Sequence, residues 1–331
     1  MTGLSMRTHS SPRFRHLLLR TLGIKFRRLC WALNSRFRNS ITVSRKQGLF
    51  TVWLVPDESV GKSLYCYGEH ELDLMTEAMT VLRSVRLCPP KGEGTILDVG
   101  ANNGITSIAM LNLGELKRAI AIEPEPRNFQ LLVHNVRQNA LEDRVACLPY
   151  AASDRGGQLS FELSEANDGD HRVRPPQSAS SPERFRESGR RVIGVQCETL
   201  CDLMSDVPPG FTRDVTVIWV DVQGYEGYVF KGAKKLLSAG IPVVSEIWPY
   251  GIRRAGMSER EFVDIAEDNW TSYWVRRKGR FVQYPINTLP ILFEELGYEG
   301  DVDNVIFTRD EDRPTGGVHP LEEKVANAIS P

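Results

Sequence analysis

The sequence predicts a doubly wound α/β fold, a mostly parallel sheet with helices on both faces, preceded by a basic helical extension. Three observations carry this expectation. From about residue 50 to residue 308, short apolar runs alternate with segments of helical period. The string TILDVGANNGITS at 95–107 joins a buried strand to a helix through a tight turn that holds two glycines four residues apart. Charge is also unevenly placed: no Asp or Glu precedes Asp57, whereas eleven Lys and Arg lie within residues 1–46.

In chain order, residues 1–56 form the basic leader. Within it, HLLLRTLGIKFRRLCWAL at 16–33 reads as a helix with Leu18, Leu22, Phe26, Leu29 and Leu33 along one side. Gly23 lies inside that helix, and Ile24 and Trp31 fall toward its basic side. Three readings of the leader stay open. It is a helix held at an anionic membrane surface, an arm that contacts nucleic acid, or a helix that covers part of the main domain or a poorly ordered end.

The main domain is expected over 57–308. LFTVWLVP (49–56) reads as a strand that leads into it, and EHELDLMTEAMTVLRSV (69–85) as a helix. After the glycine turn come a strand in RAIAIEP, a helix in RNFQLLVHNVRQN, and strands in RVACLPYAAS and GQLSFELSE. VTVIWVDVQ is a strand, GYVFKGAKKLLSAG a helix and PVVSEIW a strand, and NVIFTR (304–309) reads as an edge strand. The Pro, Ser and Arg-rich stretch 174–191 is a polar loop insertion, and 309–331 a loosely attached tail.

Composition narrows the class. With 41% hydrophobic and 25% charged residues, the chain has the proportions of a globular protein. No apolar stretch approaches the roughly 20 residues of a membrane span. HLLLRTLGIKF is too broken by charge to be a secretory signal. The six cysteines form no CxxC pair, and Cys197 and Cys201 lack further ligands at metal-site spacing, so reduced thiols and a cytoplasmic location are expected. The first reading of the leader would make that location peripheral to a membrane.

The chemistry starts at the glycine turn. Asp98, Gly100 and Gly104 lie in one strand–turn–helix unit, and Glu123 closes the next strand, 23 residues after Gly100. In doubly wound folds an acid at that point accepts hydrogen bonds from ribose hydroxyls. A dinucleotide turn would need GxGxxG, but Gly100-Ala101-Asn102-Asn103-Gly104 lacks the middle glycine, and Asp98 would repel a pyrophosphate. A nucleoside with a cationic or zwitterionic end suits these residues better. S-adenosylmethionine, which has a ribose, a sulfonium and an amino-acid end, is therefore the expected cofactor, ahead of NAD. VGKS at 60–63 imitates the end of a P-loop, but Pro56 stands where the first glycine is required.

ILDVGANNG followed by IEPEP resembles the opening of a class I S-adenosylmethionine-dependent methyltransferase. VIWVDVQGYEGYVFKGA, with VVSEIWP after it, is similar to the FkbM family of that class, as is VQCETLCDLM ahead of it. The resemblance covers roughly residues 60–308. It implies a Rossmann-like class I methyltransferase sheet, with Asp98, Gly100, Asn102 and Gly104 along the methionine end of the cofactor. It further implies Glu123 on the ribose, Tyr150–Ser153, Ala151 included, beside the adenine, and Asp221 facing cofactor and acceptor. It points to O-methylation of a small-molecule hydroxyl acceptor, a sugar or secondary metabolite.

Methyl transfer is an in-line displacement, so the protein aligns the acceptor, takes its proton and excludes water. The candidate bases are Asp221, Glu246 at the end of the fifth strand, and His171 in NDGDHRV. Asp170 is placed to orient His171, and Arg172 to hold an acidic substrate group; the same string also reads as a plain polar turn. Glu226 is expected to hold a backbone or basic partner. The histidines show no metal-ligand spacing, so no metal is expected. The rival functions are methylation of RNA or protein, motivated by the basic leader, and a non-catalytic nucleoside-binding scaffold.

Overall fold

Burial on both sides explains why the central strands read as unbroken apolar runs: TILDV at 95–99 and VTVIWV at 215–220 contain no exposed residue. The computed structural model describes residues 12–55, 60–174 and 183–309. The core of the polar loop (175–182) and all but Arg309 of the expected tail lie outside the described residues.

Helix α1 (Pro12–Asn34) leads into a hairpin, β1 (Ser40–Arg45) and β2 (Gly48–Trp53), and then into α2 (Val60–Tyr67) and α3 (Leu72–Ser84). The alternating unit follows as β3 (Thr95–Val99), α4 (Ile105–Asn112), β4 (Arg118–Ile122), α5 (Pro126–Gln138) and β5 (Val145–Leu148). Next come β6 (Ala151–Ala152), β7 (Gly157–Leu163), β8 (Arg172–Val173) and β9 (Arg191–Glu198), which form a separate four-stranded sheet in the order β6-β9-β7-β8. The chain then returns to the main sheet with β10 (Val215–Val220), β11 (Val243–Ile247), β12 (Ser272–Arg277), β13 (Arg280–Pro285) and β14 (Asp303–Thr308).

The main sheet has eight strands in the order β13-β12-β14-β11-β10-β3-β4-β5. Its β11-β10-β3-β4-β5 part is parallel, and the other pairings are antiparallel. The chain winds outward from β3 in one direction and from β10 in the other, so the expected doubly wound fold is present. Where winding reverses, the carboxyl ends of β3 and β10 open a crevice, the usual ligand position in such sheets. Alternate side chains divide between two cores. Leu97, Val99, Ile120 and Ile122 pack with Phe230, Phe262 and Phe293 on one face. Ile96, Ala119, Ala121 and Trp219 pack with Ile108, Leu132 and Phe50 on the other.

The structure departs from the expected elements in identifiable ways. NVIFTR is an interior strand, because β14 pairs with β11 on one side and with β12 on the other. The true edge is β13 of the hairpin 272–285, whose half-polar residues are only partly buried. RVACLPYAAS divides into β5 and β6, which join different sheets across Pro149, a residue without a backbone donor. GYVFKGAKKLLSAG is two helices, Glu226–Gly232 and Lys234–Ser238, separated at Ala233. The VGKS string lies on α2. Trp31, Val43, Phe50 and Val52 from the basic leader are buried with α3 and α4, so the expected division at residue 56 runs through continuous packing.

Candidate functional site

The strand β3 ends at Gly100, whose backbone takes a conformation (φ +86°) that side-chain-bearing residues rarely adopt. A Cβ there would stand 1.9 Å from the Asp221 carbonyl oxygen, so only glycine lets the β3 and β10 ends close on each other. Gly104 (φ +85°) begins α4, and a Cβ there would meet Leu132 at 2.7 Å. Asp98, 2% exposed, accepts from the Ser107 backbone N–H at 3.1 Å and from its hydroxyl at 2.6 Å, both on Oδ2. The acid thereby pins the first turn of α4 to the strand end. Burial pushes its carboxyl up to about 6, and the two Ser107 bonds restrain that rise.

Glu123 is fully enclosed rather than a surface residue. Its Oε2 accepts from Asn102 N–H at 2.9 Å and its Oε1 from Glu125 N–H at 2.7 Å. The carboxylate ties the glycine turn to the turn after β4, and burial pushes it up to about 8. Asn102 (φ +50°) in turn donates its amide at 3.1 Å to the Asp168 carbonyl, which also accepts from Asn128 Nδ2 at 3.1 Å. Both carboxylate oxygens of Asp168 are buried without a hydrogen-bond partner, as are Asn102 Oδ1 and the side-chain amide of Asn103.

Asp98, Gly100, Asn102, Asn103, Glu123 and Asp168 line one cleft of about 960 Å³, its open mouth included. Tyr150, Ala151, Ala152, Phe161 and Val173 form its less polar wall. At the far end, Asp221 Oδ1 accepts from Gln223 Nε2 at 2.7 Å. Burial, then the nearby Glu71 carboxylate, raises Asp221 to about 6. Glu246 lies behind Gln223, 3.5 Å from the same amide, and is not part of the cleft lining. Burial, and next the Asp221 charge, pushes its carboxyl well above the usual range. Glu226 accepts from the N–H groups of Val222 (3.2 Å) and Gly224 (3.1 Å), and so fixes the DVQG turn.

His171 also faces the cleft, but its Nδ1 already accepts from Ser164 N–H at 3.0 Å. Burial lowers it to about 4, so the ring is neutral and offers Nε2–H as a donor. The expected Asp170–His171 partnership is not formed: Asp170 pairs with Arg172 and Arg190. Arg172 is also withheld from substrate. It is 2% exposed, stacks over Trp248 at 4.6 Å and reaches Glu187. A buried guanidinium needs such partners, which an exposed substrate clamp would not have.

The FkbM methyltransferase domain model matches residues 98–298, which takes in most of the sheet and the carboxyl ends of β3, β4 and β10. The chain belongs to the FkbM methyltransferase family. As a member of this family it is a methyltransferase, and its class I sheet implies use of S-adenosylmethionine. Among curated proteins, this FkbM methyltransferase is 29% identical over 171 residues to 2-O-methyltransferase NoeI of Sinorhizobium fredii, covering 49% of this chain and 67% of NoeI. A shorter segment of 73 residues is 36% identical to the ribosomal protein L11 methyltransferase of Yersinia pestis, covering 22% of this chain and 24% of that protein. Among solved structures, methyltransferase FkbM from Methylobacillus flagellatus is 14% identical, with a TM-score of 0.39, over 74% of this chain and 52% of that one.

The FkbM domain brings Asp98, Gly100, Asn102, Glu123, Ala151, His171 and Asp221 to one cleft and leaves Gly104 and Glu246 just outside its lining. Sequence reasoning missed Asp168, His70 and Glu71, which also line it. His70 and Glu71 sit between α2 and α3, where no motif marks them. Asp168 stands in NDGDHRV two positions before the Asp170–His171 pair that drew attention, and only the folded loop shows which acid turns inward.

Proposed function

We propose that this enzyme transfers the methyl group of S-adenosylmethionine to a hydroxyl oxygen of a small, hydroxyl-rich acceptor, a sugar or secondary metabolite. The observation that carries the reading is the set of buried acids Asp98, Glu123, Asp168 and Asp221 converging on one cleft, where the side-chain oxygens of Asn102, Asn103 and Asp168 have no hydrogen-bond donor. Ribose hydroxyls, an exocyclic amine and an ammonium are donors of that kind, and a phosphate is not. The name of NoeI, a 2-O-methyltransferase, supports oxygen as the acceptor atom.

In this reading Asp98, Gly100, Asn102 and Gly104 shape the methionine end, Glu123 and Asp168 take hydroxyl or amine donors of the nucleoside, and Ala151 lies beside the base. S-adenosylmethionine, when bound, supplies a methyl carbon already activated by its sulfonium. The chain's own work is to orient the acceptor oxygen and take its proton. Asp221 is the proposed base. Its raised value of about 6 leaves it ionised at neutral pH yet more basic than an exposed carboxylate. Gln223 steers it by the bond to Oδ1, leaving Oδ2 for the acceptor proton. Glu246, outside the cleft lining, backs Gln223, and the neutral Nε2–H of His171 is a donor to an acceptor oxygen rather than a base.

The test is methyl transfer from a labelled donor to a panel of polyhydroxylated acceptors, with protein and RNA as controls. The wild type is expected to label a hydroxyl acceptor, and its rate to rise with pH through about 6 as Asp221 loses its proton. Asp221→Asn is expected to lower the rate about 100-fold to 10,000-fold. A folded Asp221→Asn protein with wild-type rate would remove Asp221 from this role, and label on RNA or protein alone would overturn the acceptor class.

A further inference from the structure

Helix α1 is seated on the fold chiefly by one buried side chain, with Arg28 reaching Tyr67 of α2 beside it. Trp31, 1% exposed, lies 5.6 Å from the Tyr65 ring and donates from Nε1 to the Val55 carbonyl at 2.9 Å. That contact fixes which side of the helix faces outward. Phe26 (67% exposed), Leu29 (57%) and Leu33 (48%) lie within an arc of about 60° at 3.6 residues per turn. Phe37 (84%) follows in the turn that continues the helix, where Arg38 N–H reaches the Asn34 carbonyl at 2.9 Å. Among the described residues, eight large hydrophobic side chains are exposed, and four of them belong to this stripe.

Basic residues rim the stripe. Lys25 flanks it, with Arg36 and Arg38 in the turn beyond, all three exposed, and no acid occurs before Asp57. We infer that this face of α1 and its following turn docks on a membrane surface that carries anionic lipid. The apolar side chains enter the headgroup boundary, and the basic rim stays at headgroup level, where long basic side chains reach anionic groups. A nucleic acid would use the rim but leave four apolar side chains in water. A second copy of the chain, face to face, would bring two basic rims together. No helix among the described residues is long and apolar enough to cross a membrane, so α1 lies on the surface.

The inference stands apart from the choice of methyl acceptor, and the full chain tests it. Cosedimentation is measured with phosphatidylcholine vesicles and with vesicles in which roughly a third of the lipid is phosphatidylglycerol. The chain is expected to partition to the anionic vesicles, on the order of tenfold more strongly than to the neutral ones, with the difference shrinking as salt rises. Phe26→Ser with Phe37→Ser, and separately Lys25→Glu with Arg36→Glu, are each expected to reduce partitioning on the order of tenfold with unchanged Tm. Three results would overturn it: folded chain that ignores anionic vesicles, double variants that bind as well as the wild type, or a lipid-free dimer abolished by the Phe substitutions.

Discussion

Glu123 and Asp168 meet at Asn102, yet they stand in opposite hydrogen-bonding states. Glu123 has both oxygens on backbone N–H groups, whereas Asp168 has neither oxygen bonded and only its carbonyl held. The first is a built part of the turn, and the second is an acceptor kept for something else. Glu123→Ala is expected to weaken S-adenosylmethionine binding by about 1 to 3 kcal/mol, since its hydrogen bonds are lost and the turn loosens. Asp168→Asn is expected to cost about 1 kcal/mol of binding with little change in Tm, because no bond within the protein is broken. Calorimetric dissociation constants for the two variants check both, and an unchanged constant for Asp168→Asn would mean its carboxylate does not meet the cofactor. At this scale, the acids legible in the sequence were those at strand ends, where position along the chain fixes position in the crevice. Asp168, His70 and Glu71 come from connections whose approach is set by tertiary packing, so no local pattern marks them.

The strand–turn–helix element from Thr95 to Asn112 depends on how closely β3 and β10 approach. Their backbones meet at Gly100, where a methyl group would overlap the Asp221 carbonyl at 1.9 Å and the chain holds φ at +86°. Gly100→Ala is expected to destabilise the protein by at least about 2 kcal/mol, seen as a fall in Tm of roughly 4 °C or more. A Tm within about 1 °C of the wild type would show that the turn relaxes freely. Elements with strong periodicity and a clear turn, such as β3, α5 and β10, were legible from their residues. The hairpin 272–285 was not, because half-buried strands that carry Arg276, Arg277 and Arg280, with Lys278 in the turn between them, look like a charged loop. Overlooking it also turned interior β14 into an apparent edge, since an edge is a statement about neighbours.

For the whole molecule, the doubly wound order places the ends of β3, β4 and β10 around one crevice, and the second sheet β6-β9-β7-β8 supplies Phe161 and Val173 to its wall. The chain outside the leader is acidic, and its buried acids gather where a nucleoside with a cationic end would sit. This distribution argues against a pyrophosphate cofactor on electrostatic grounds. The most direct measurement is calorimetric titration of the ligand-free chain with S-adenosylmethionine, S-adenosylhomocysteine and NAD. Micromolar binding of the two adenosyl compounds and none of NAD is the predicted result. A folded chain that binds neither adenosyl compound, or that prefers NAD, would contradict the assignment of the crevice.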